Sequence, residues 1–278
     1  MGVSLPRFPP IWRESRAGVE AAALFRSSVW RGGGVPDGGG RPVLLIPGFL
    51  AGDSSMTTMT RWLRENGYRT RRAGIRANVG CSEDYLGRLE ERLEQLHATT
   101  GQRVAIIGQS RGGVFARALA VRRPDLVCGI ATLGAPTVRQ LSAHPFVLAQ
   151  VLVVGALGTG RVPGMFRVSC LRGACCERFR ADLANAFPPD VGYTALYSKT
   201  DGVVDWRACL DPAAEQIEVR ASHLGMGLNA EVYAELGNAL GRFGRDDGRY
   251  CAGRLDSETC PVTSALRARR PASRRSCP

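Results

Sequence analysis

The chain has 278 residues, 44% of them hydrophobic and 22% charged, which is enough apolar material for one large domain or two small ones and too much for a disordered chain. Its formal net charge of +12 comes almost wholly from arginine, spread along the chain apart from the C-terminal tail and without a recognisable nucleic-acid module, so no nucleic-acid partner is expected. No apolar run reaches the roughly 18 residues of a membrane span, and Pro6, Pro9, Pro10 and Glu14 interrupt what a signal peptide would need as its apolar core.

Residues 1–41 open Pro-rich and then offer a helix over about Ile11 to Trp30, with Trp12, Val19, Leu24, Phe25, Val29 and Trp30 as apolar points. It reads as a peripheral helix on the core rather than as a neighbour of a site. The glycine-rich stretch from Arg31 to Gly40 reads as a linker. Pro42-Val43-Leu44-Leu45-Ile46 is a buried strand that ends in Pro47-Gly48-Phe49. A helix from about Met56 to Asn66 follows, stopped at Gly67, and Tyr68 to Gly74 reads as a strand despite its arginines. Leu86, Leu89, Leu93 and Leu96 then recur at helical spacing with charges between them. That pattern gives an amphipathic helix from Glu83 to about Ala98, with Ser82 as its expected N-cap.

Val104-Ala105-Ile106-Ile107 is an apolar, β-branched run, and Gly113 to Ala120 reads as a helix. Between them lies Gly108-Gln109-Ser110-Arg111-Gly112, a G-x-S-x-G turn in the strand–turn–helix setting of a nucleophile elbow. Such a turn strains the serine backbone and lifts its Oγ clear of the sheet, and a Cβ at Gly108 or Gly112 would collide with it. An ordinary turn with a serine N-cap is the alternative.

Leu126 to Leu133 is a further strand, closed by Gly134-Ala135-Pro136. The alternation implies a parallel sheet with helices on both faces. Three strand ends, Pro47-Gly48-Phe49, Ser110 and Gly134-Ala135-Pro136, then fall where such sheets carry their sites. Residues 137–190 break the alternation with an apolar run, Pro145–Gly160, and read as a cap or lid insertion; a pair of surface helices is the alternative. The sheet resumes at Tyr193 to Ser198 and near Gln216 to Val219, and a last helix spans about Asn229 to Phe243. The division expected is 1–41, a catalytic domain over 42–244, and an Arg-rich disordered tail over 245–278.

Nine cysteines, an odd number, lack regular spacing, and their one cluster, Cys170-x4-Cys175-Cys176, has no C-x2-C pair and no nearby histidine. Buried thiols are expected, with no metal site and no cofactor.

Only three histidines exist. His97 ends an amphipathic helix and His144 opens the apolar insertion. His223 follows the last strand, downstream of the elbow serine, where a general base would stand. Between serine and histidine, Asp201 leaves the Tyr193–Ser198 strand at a turn that Gly202 lets bend, and Asp205 is its understudy. The triad expected is therefore Ser110, Asp201 and His223, with the backbone N–H groups of Phe49 and Arg111 as the oxyanion hole.

These stretches together resemble the α/β-hydrolase superfamily, in its lipase/esterase branch. Leu44 to Phe49 resembles that branch's oxyanion strand and loop, Gly108 to Gly113 its elbow, Thr200 to Val204 its acid loop, and Ser222 to Met226 its histidine loop. The likeness covers about residues 42–243. Proline at 47 and glutamine at 109 stand where relatives often carry histidine, and no acidic cluster matches the calcium site of some bacterial lipases. The resemblance implies an α/β-hydrolase fold, a mostly parallel sheet with a cap or lid insertion, and a serine hydrolase cleaving carboxylic esters, small or lipid, through an acyl-enzyme. An acyltransferase with the same triad and a non-catalytic binding protein of the same fold are the alternatives. A cytoplasmic location is expected, and peripheral contact of the Arg-rich tail with a membrane surface stays open.

Overall fold

The computed structural model describes residues 8–255. Six strands form one parallel sheet: β1 (Pro42–Ile46), β2 (Arg69–Arg72), β3 (Val104–Gln109), β4 (Val127–Leu133), β5 (Gly192–Tyr197) and β6 (Glu215–Glu218), in the order β2-β1-β3-β4-β5-β6. The register pairs Val43 with Ala105, Ile106 with Ile130, Thr132 with Ala195 and Leu196 with Ile217. β1 and β4 are buried along their whole length. A central parallel strand covered on both faces has no polar side, which is why these segments are continuous apolar runs. The edges differ. β2 is Arg-Thr-Arg-Arg and β6 Glu-Gln-Ile-Glu, largely exposed, and charge on an edge strand discourages pairing with another chain.

Eight helices accompany the sheet among the described residues: α1 (Ala17–Arg26), α2 (Thr57–Glu65), α3 (Ser82–Thr100), α4 (Arg111–Arg122), α5 (Pro145–Thr159), α6 (Ser169–Arg172), α7 (Glu177–Ala184) and α8 (Ala230–Leu255). Strand residues alternate between two cores, as a period of two requires. Val43, Leu45, Ala105 and Ile107 join Leu24 of α1, Trp62 and Leu63 of α2, and Tyr233, Leu236 and Phe243 of α8 on one face. Leu44, Ile46, Ile106 and Ile130 join Leu86, Leu89 and Leu93 of α3, Phe115 and Leu119 of α4, and Phe179 of α7 on the other. α4 is buried without interruption from Gly112 to Ala120, as befits the helix that leaves the elbow.

The structure departs from the sequence expectations in several places. The segment 11–30 is a 3-10 turn over Ile11–Arg16, then α1, then a second 3-10 turn over Val29–Arg31. Trp12 and Val19 lie outward, 70% and 73% exposed, while Glu14 and Glu20 point inward. Cys81 rather than Ser82 is the N-cap of α3. α8 runs through Gly244 to Leu255, into the stretch expected to be disordered; residues 256–278 of that stretch lie outside the described residues. Between the adjacent strands β4 and β5 sit α5, α6 and α7, and α5 carries no charged residue and exposes Phe146, Leu152, Val153 and Leu157. Among the described residues, no helix is long and apolar enough to cross a membrane.

Candidate active site

β3 ends at Gln109 and α4 begins at Arg111, leaving Ser110 alone between them at φ 52° and ψ −122°. A positive φ is costly for any residue with a side chain and persists only where the surroundings enforce it. Here they do. The Ser110 N–H donates to the Leu133 carbonyl at 2.8 Å, and the Gly113 N–H donates to the Ser110 carbonyl at 2.9 Å. A Cβ on Gly108 would lie 2.4 Å from the Gly112 carbonyl oxygen, and one on Gly112 would lie 2.2 Å from that of Ile46. Both positions of the turn therefore exclude every residue but glycine.

Asp201 and His223 leave the carboxyl ends of β5 and β6 and meet directly, Asp201 Oδ2 to His223 Nδ1 at 2.7 Å. Both are buried. The other carboxylate oxygen accepts the N–H groups of Val203 and Val204, each at 2.8 Å, which fixes its orientation. Burial opposes a charged imidazole, but the charge and hydrogen bond of Asp201, with Glu14 behind, outweigh it and raise the His223 pKa above its ordinary value. The pair rests against Gly134 at the end of β4. With φ 54°, Gly134 would place a Cβ 3.1 Å from Asp201 Oδ2 and 3.2 Å from His223 Nδ1.

The elbow and the histidine loop are joined by Gln109, whose side-chain amide donates to the His223 carbonyl at 3.0 Å. Ser110 Oγ makes no hydrogen bond to the imidazole among the described residues. The loop after β1 passes beside the serine: a Cβ on Gly48 would lie 3.2 Å from Ser110 Cβ. Asn78, fully buried, steadies that loop by donating its side-chain amide to the Pro47 carbonyl at 2.8 Å and its backbone N–H to the Ala51 carbonyl at 2.9 Å. The Arg111 guanidinium holds Asn78 in turn, donating to its carbonyl at 2.8 Å and its Oδ1 at 3.0 Å, and reaches the Gly80 carbonyl at 2.8 Å and Ser82 Oγ at 3.1 Å. Burial lowers the Arg111 pKa to about 10, and the side chain lies over the rings of Phe115 and Phe166.

Ser110, Asp201, His223, Phe49 and the Arg111 N–H thus all stand at the carboxyl end of one sheet. Asp205 does not reach the imidazole; its Oδ1 accepts the Arg207 N–H at 3.1 Å and caps the 3-10 turn Trp206–Cys209. His144 caps α5, and His97 Nδ1 hydrogen-bonds with the Gln102 carbonyl at 2.8 Å. Glu14 and Glu20 were not foreseen. Glu14 accepts the N–H of Gly202 and of Leu224, each at 2.9 Å, and Glu20 that of Ser222, also at 2.9 Å. The inward face of the N-terminal segment therefore holds the loops of both Asp201 and His223.

A second cluster lies behind the elbow. The sulfurs of Cys81, Cys170, Cys175 and Cys176 all fall within 4.8 Å of one another. The expectation of no metal-binding arrangement counted only cysteines close in sequence. The fold adds Cys81, at the start of α3, as a fourth donor.

Neither a protein-family model nor a curated protein matches the chain. Solved structures do. The mature form of a lipase from Bacillus licheniformis matches with a TM-score of 0.56 at 17% identity, over 74% of this chain and 94% of that one. A soluble variant of monoglyceride lipase from Saccharomyces cerevisiae matches at 0.53 and 15% identity, over 77% and 90%. A monoacylglycerol lipase from Paleococcus ferrophilus matches at 0.51 and 12% identity, over 76% and 97%. The chain has the α/β-hydrolase fold.

Proposed function

We propose that the chain is a serine hydrolase of carboxylic esters, working through an acyl-enzyme. The observation that carries this reading is the buried Asp201–His223 hydrogen bond at the same sheet end as a serine held at positive φ in a G-x-S-x-G turn. Ser110 Oγ attacks the ester carbonyl while His223 Nε2 takes its proton. Asp201 holds the tautomer with Nε2 available and stabilises the imidazolium. The tetrahedral oxyanion is received by the backbone N–H groups of Phe49 and Arg111, roughly 3–4 kcal/mol per donor. His223 then protonates the leaving alcohol, and water repeats the sequence on the acyl-enzyme. The missing hydroxyl–imidazole hydrogen bond is the contact that substrate binding must tighten, as is common in unliganded hydrolases.

The rim supports an apolar acyl group. Leu50, just past Phe49, and Leu224, just past His223, are exposed large side chains, as are those along α5. The test is turnover of p-nitrophenyl esters from acetyl to palmitoyl by wild type, Ser110→Ala and His223→Ala, with fluorophosphonate labelling of Ser110. Loss of turnover in both variants, with a labelled wild-type serine, is expected. No turnover and no labelling in the wild type overturns the reading in favour of a binding protein, and labelling without turnover replaces water by another acyl acceptor.

A further inference from the structure

We propose that Cys81, Cys170, Cys175 and Cys176 form a tetrathiolate zinc site that staples the insertion between β4 and β5 to the core beside the elbow. In a tetrahedral site Zn–S bonds of about 2.3 Å place neighbouring sulfurs roughly 3.8 Å apart. The sulfurs here stand 3.4 Å apart for Cys81 and Cys176, 3.6 Å for Cys170 and Cys175, and 3.8 Å for Cys175 and Cys176. Each separation is far longer than the roughly 2.05 Å of a disulfide. Disulfides would also join sulfurs in pairs, and nothing in that chemistry calls for four at one point; one four-coordinate ion does.

The donor set chooses the metal. Four thiolates with no oxygen ligand suit zinc and exclude calcium and magnesium, which take oxygen. Cys81, Cys170 and Cys176 are buried and Cys175 is part-exposed, so the site is closed, of the structural kind, with no position for a reacting water. Val79, Val154 and Phe166 surround it as an apolar shell. Binding converts four thiols and Zn2+ into a Zn(SR)4 centre of charge −2 and releases four protons, so the centre needs a positive neighbour. Arg111 supplies one: its buried guanidinium donates to the Gly80 carbonyl and to Ser82 Oγ, the residues on either side of Cys81.

The position gives the site a consequence. Cys170 lies on α6, and Cys175 and Cys176 on the 3-10 turn Ala174–Cys176, all within the insertion. Cys81 follows Val79 and Gly80, the first of which accepts the Phe166 N–H at 2.7 Å and the second the Arg111 guanidinium. One ion would lock the insertion onto the segment that Arg111 binds.

Protein purified under reducing conditions from zinc-supplemented culture is assayed for metal by mass spectrometry, and the same protein is reloaded with Co2+ for absorption spectroscopy. About one zinc per chain, Co2+ bands of tetrahedral thiolate coordination, and a melting temperature lowered by metal removal are expected. Cys81→Ser and Cys176→Ser lose the metal, while Cys128→Ala keeps it. Should the serine variants fail to fold, wild-type stoichiometry and the Co2+ spectrum decide alone. Wild type that takes up no zinc after reduction, zinc retained by the Cys81→Ser/Cys176→Ser double variant, iron in place of zinc, or a Cys81–Cys176 disulfide in freshly purified protein each overturns the proposal. None of these readings involves Ser110 chemistry.

Discussion

Glu14 holds the backbone N–H of Leu224, the residue that follows His223, at 2.9 Å across 210 positions of sequence. Its other oxygen holds Gly202, the residue that follows Asp201, so one buried carboxylate spans both loops of the acid–histidine pair. Glu14→Gln keeps the shape but turns one acceptor into a donor facing an N–H. Leaving a buried donor unsatisfied costs about 1–3 kcal/mol. A melting temperature several degrees lower and a kcat reduced about tenfold are expected, since each 1.4 kcal/mol of lost positioning is a factor of ten. Removal of the charge also lowers the His223 pKa, so the acid limb of the pH–rate profile moves to lower pH. A purely structural role would lower stability and leave that limb in place.

The His223 pKa is raised by its partners above 6.5. Two opposite pH dependences follow. In the proposed mechanism attack needs the neutral imidazole, so kcat/KM is expected to rise only as the pH climbs through that raised value. The stability contributed by the charged imidazole beside Asp201 runs the other way: it is full below the unfolded-state pKa and is lost as the pH rises through the folded-state pKa. The difference in unfolding free energy between wild type and His223→Gln is therefore largest near and below pH ~6 and narrows in alkali. Asp201→Asn removes the charge and the tautomer control together, lowering kcat by about 10⁴-fold and shifting the acid limb down.

Most of the fold was legible because burial on both faces leaves its mark in composition. Val43 to Ile46 and Val104 to Ile107 read as strands, and Leu86, Leu89 and Leu93 as one helix face. What failed was the rule that apolar residues point inward. In the N-terminal segment Trp12 and Val19 point out and the two glutamates point in. Their partners, the N–H groups of Gly202, Ser222 and Leu224, sit on loops about 200 residues away, and no local pattern announces them. The last helix fails for another reason. Its expected end near Phe243 follows from the change of composition beyond Gly244, but α8 continues to Leu255, and at Gly244 the missing Cβ makes room for the packed Arg41 guanidinium. Cys81 was separated from its companions by the whole of β3, α4 and β4.

Gly134 is an exacting position beside the acid–histidine pair. Its φ of 54° disfavours a side chain, and a Cβ would press on Asp201 Oδ2, His223 Nδ1 and the Met226 sulfur, the last at 2.9 Å. Gly134→Ala must displace the acid–histidine pair by a few tenths of an ångström or twist the backbone. Folded protein with kcat lowered about 10²-fold is expected, because small misplacements of reacting groups cost that much. Fluorophosphonate labelling of Ser110 slows in parallel with turnover. Labelling at the wild-type rate would mean that the pair does not feel the added methyl group.

Arg111 contributes twice, and substitution separates the two parts. Its backbone N–H, one oxyanion donor of the proposed mechanism, survives any side-chain change. Its guanidinium, by contrast, makes four hydrogen bonds to Asn78, Gly80 and Ser82, and Asn78 carries the loop that bears the other donor, Phe49. A lysine ammonium is a compact point charge and cannot reproduce a planar fork that spans four acceptors. Arg111→Lys therefore leaves buried carbonyls unsatisfied, at a cost of about 2–4 kcal/mol in stability. Its kcat falls by about 10²-fold through a loosened Pro47–Ala51 loop, approaching the loss of one oxyanion donor. KM for short esters changes little, since the oxyanion donors act mainly in the transition state. Asn78→Ala produces the same kcat loss by the same route. Combining it with Arg111→Lys adds far less than the sum of the two, because both changes release one loop. Full additivity in that double-mutant cycle would sever the guanidinium from the oxyanion loop and leave Arg111 a packing role alone.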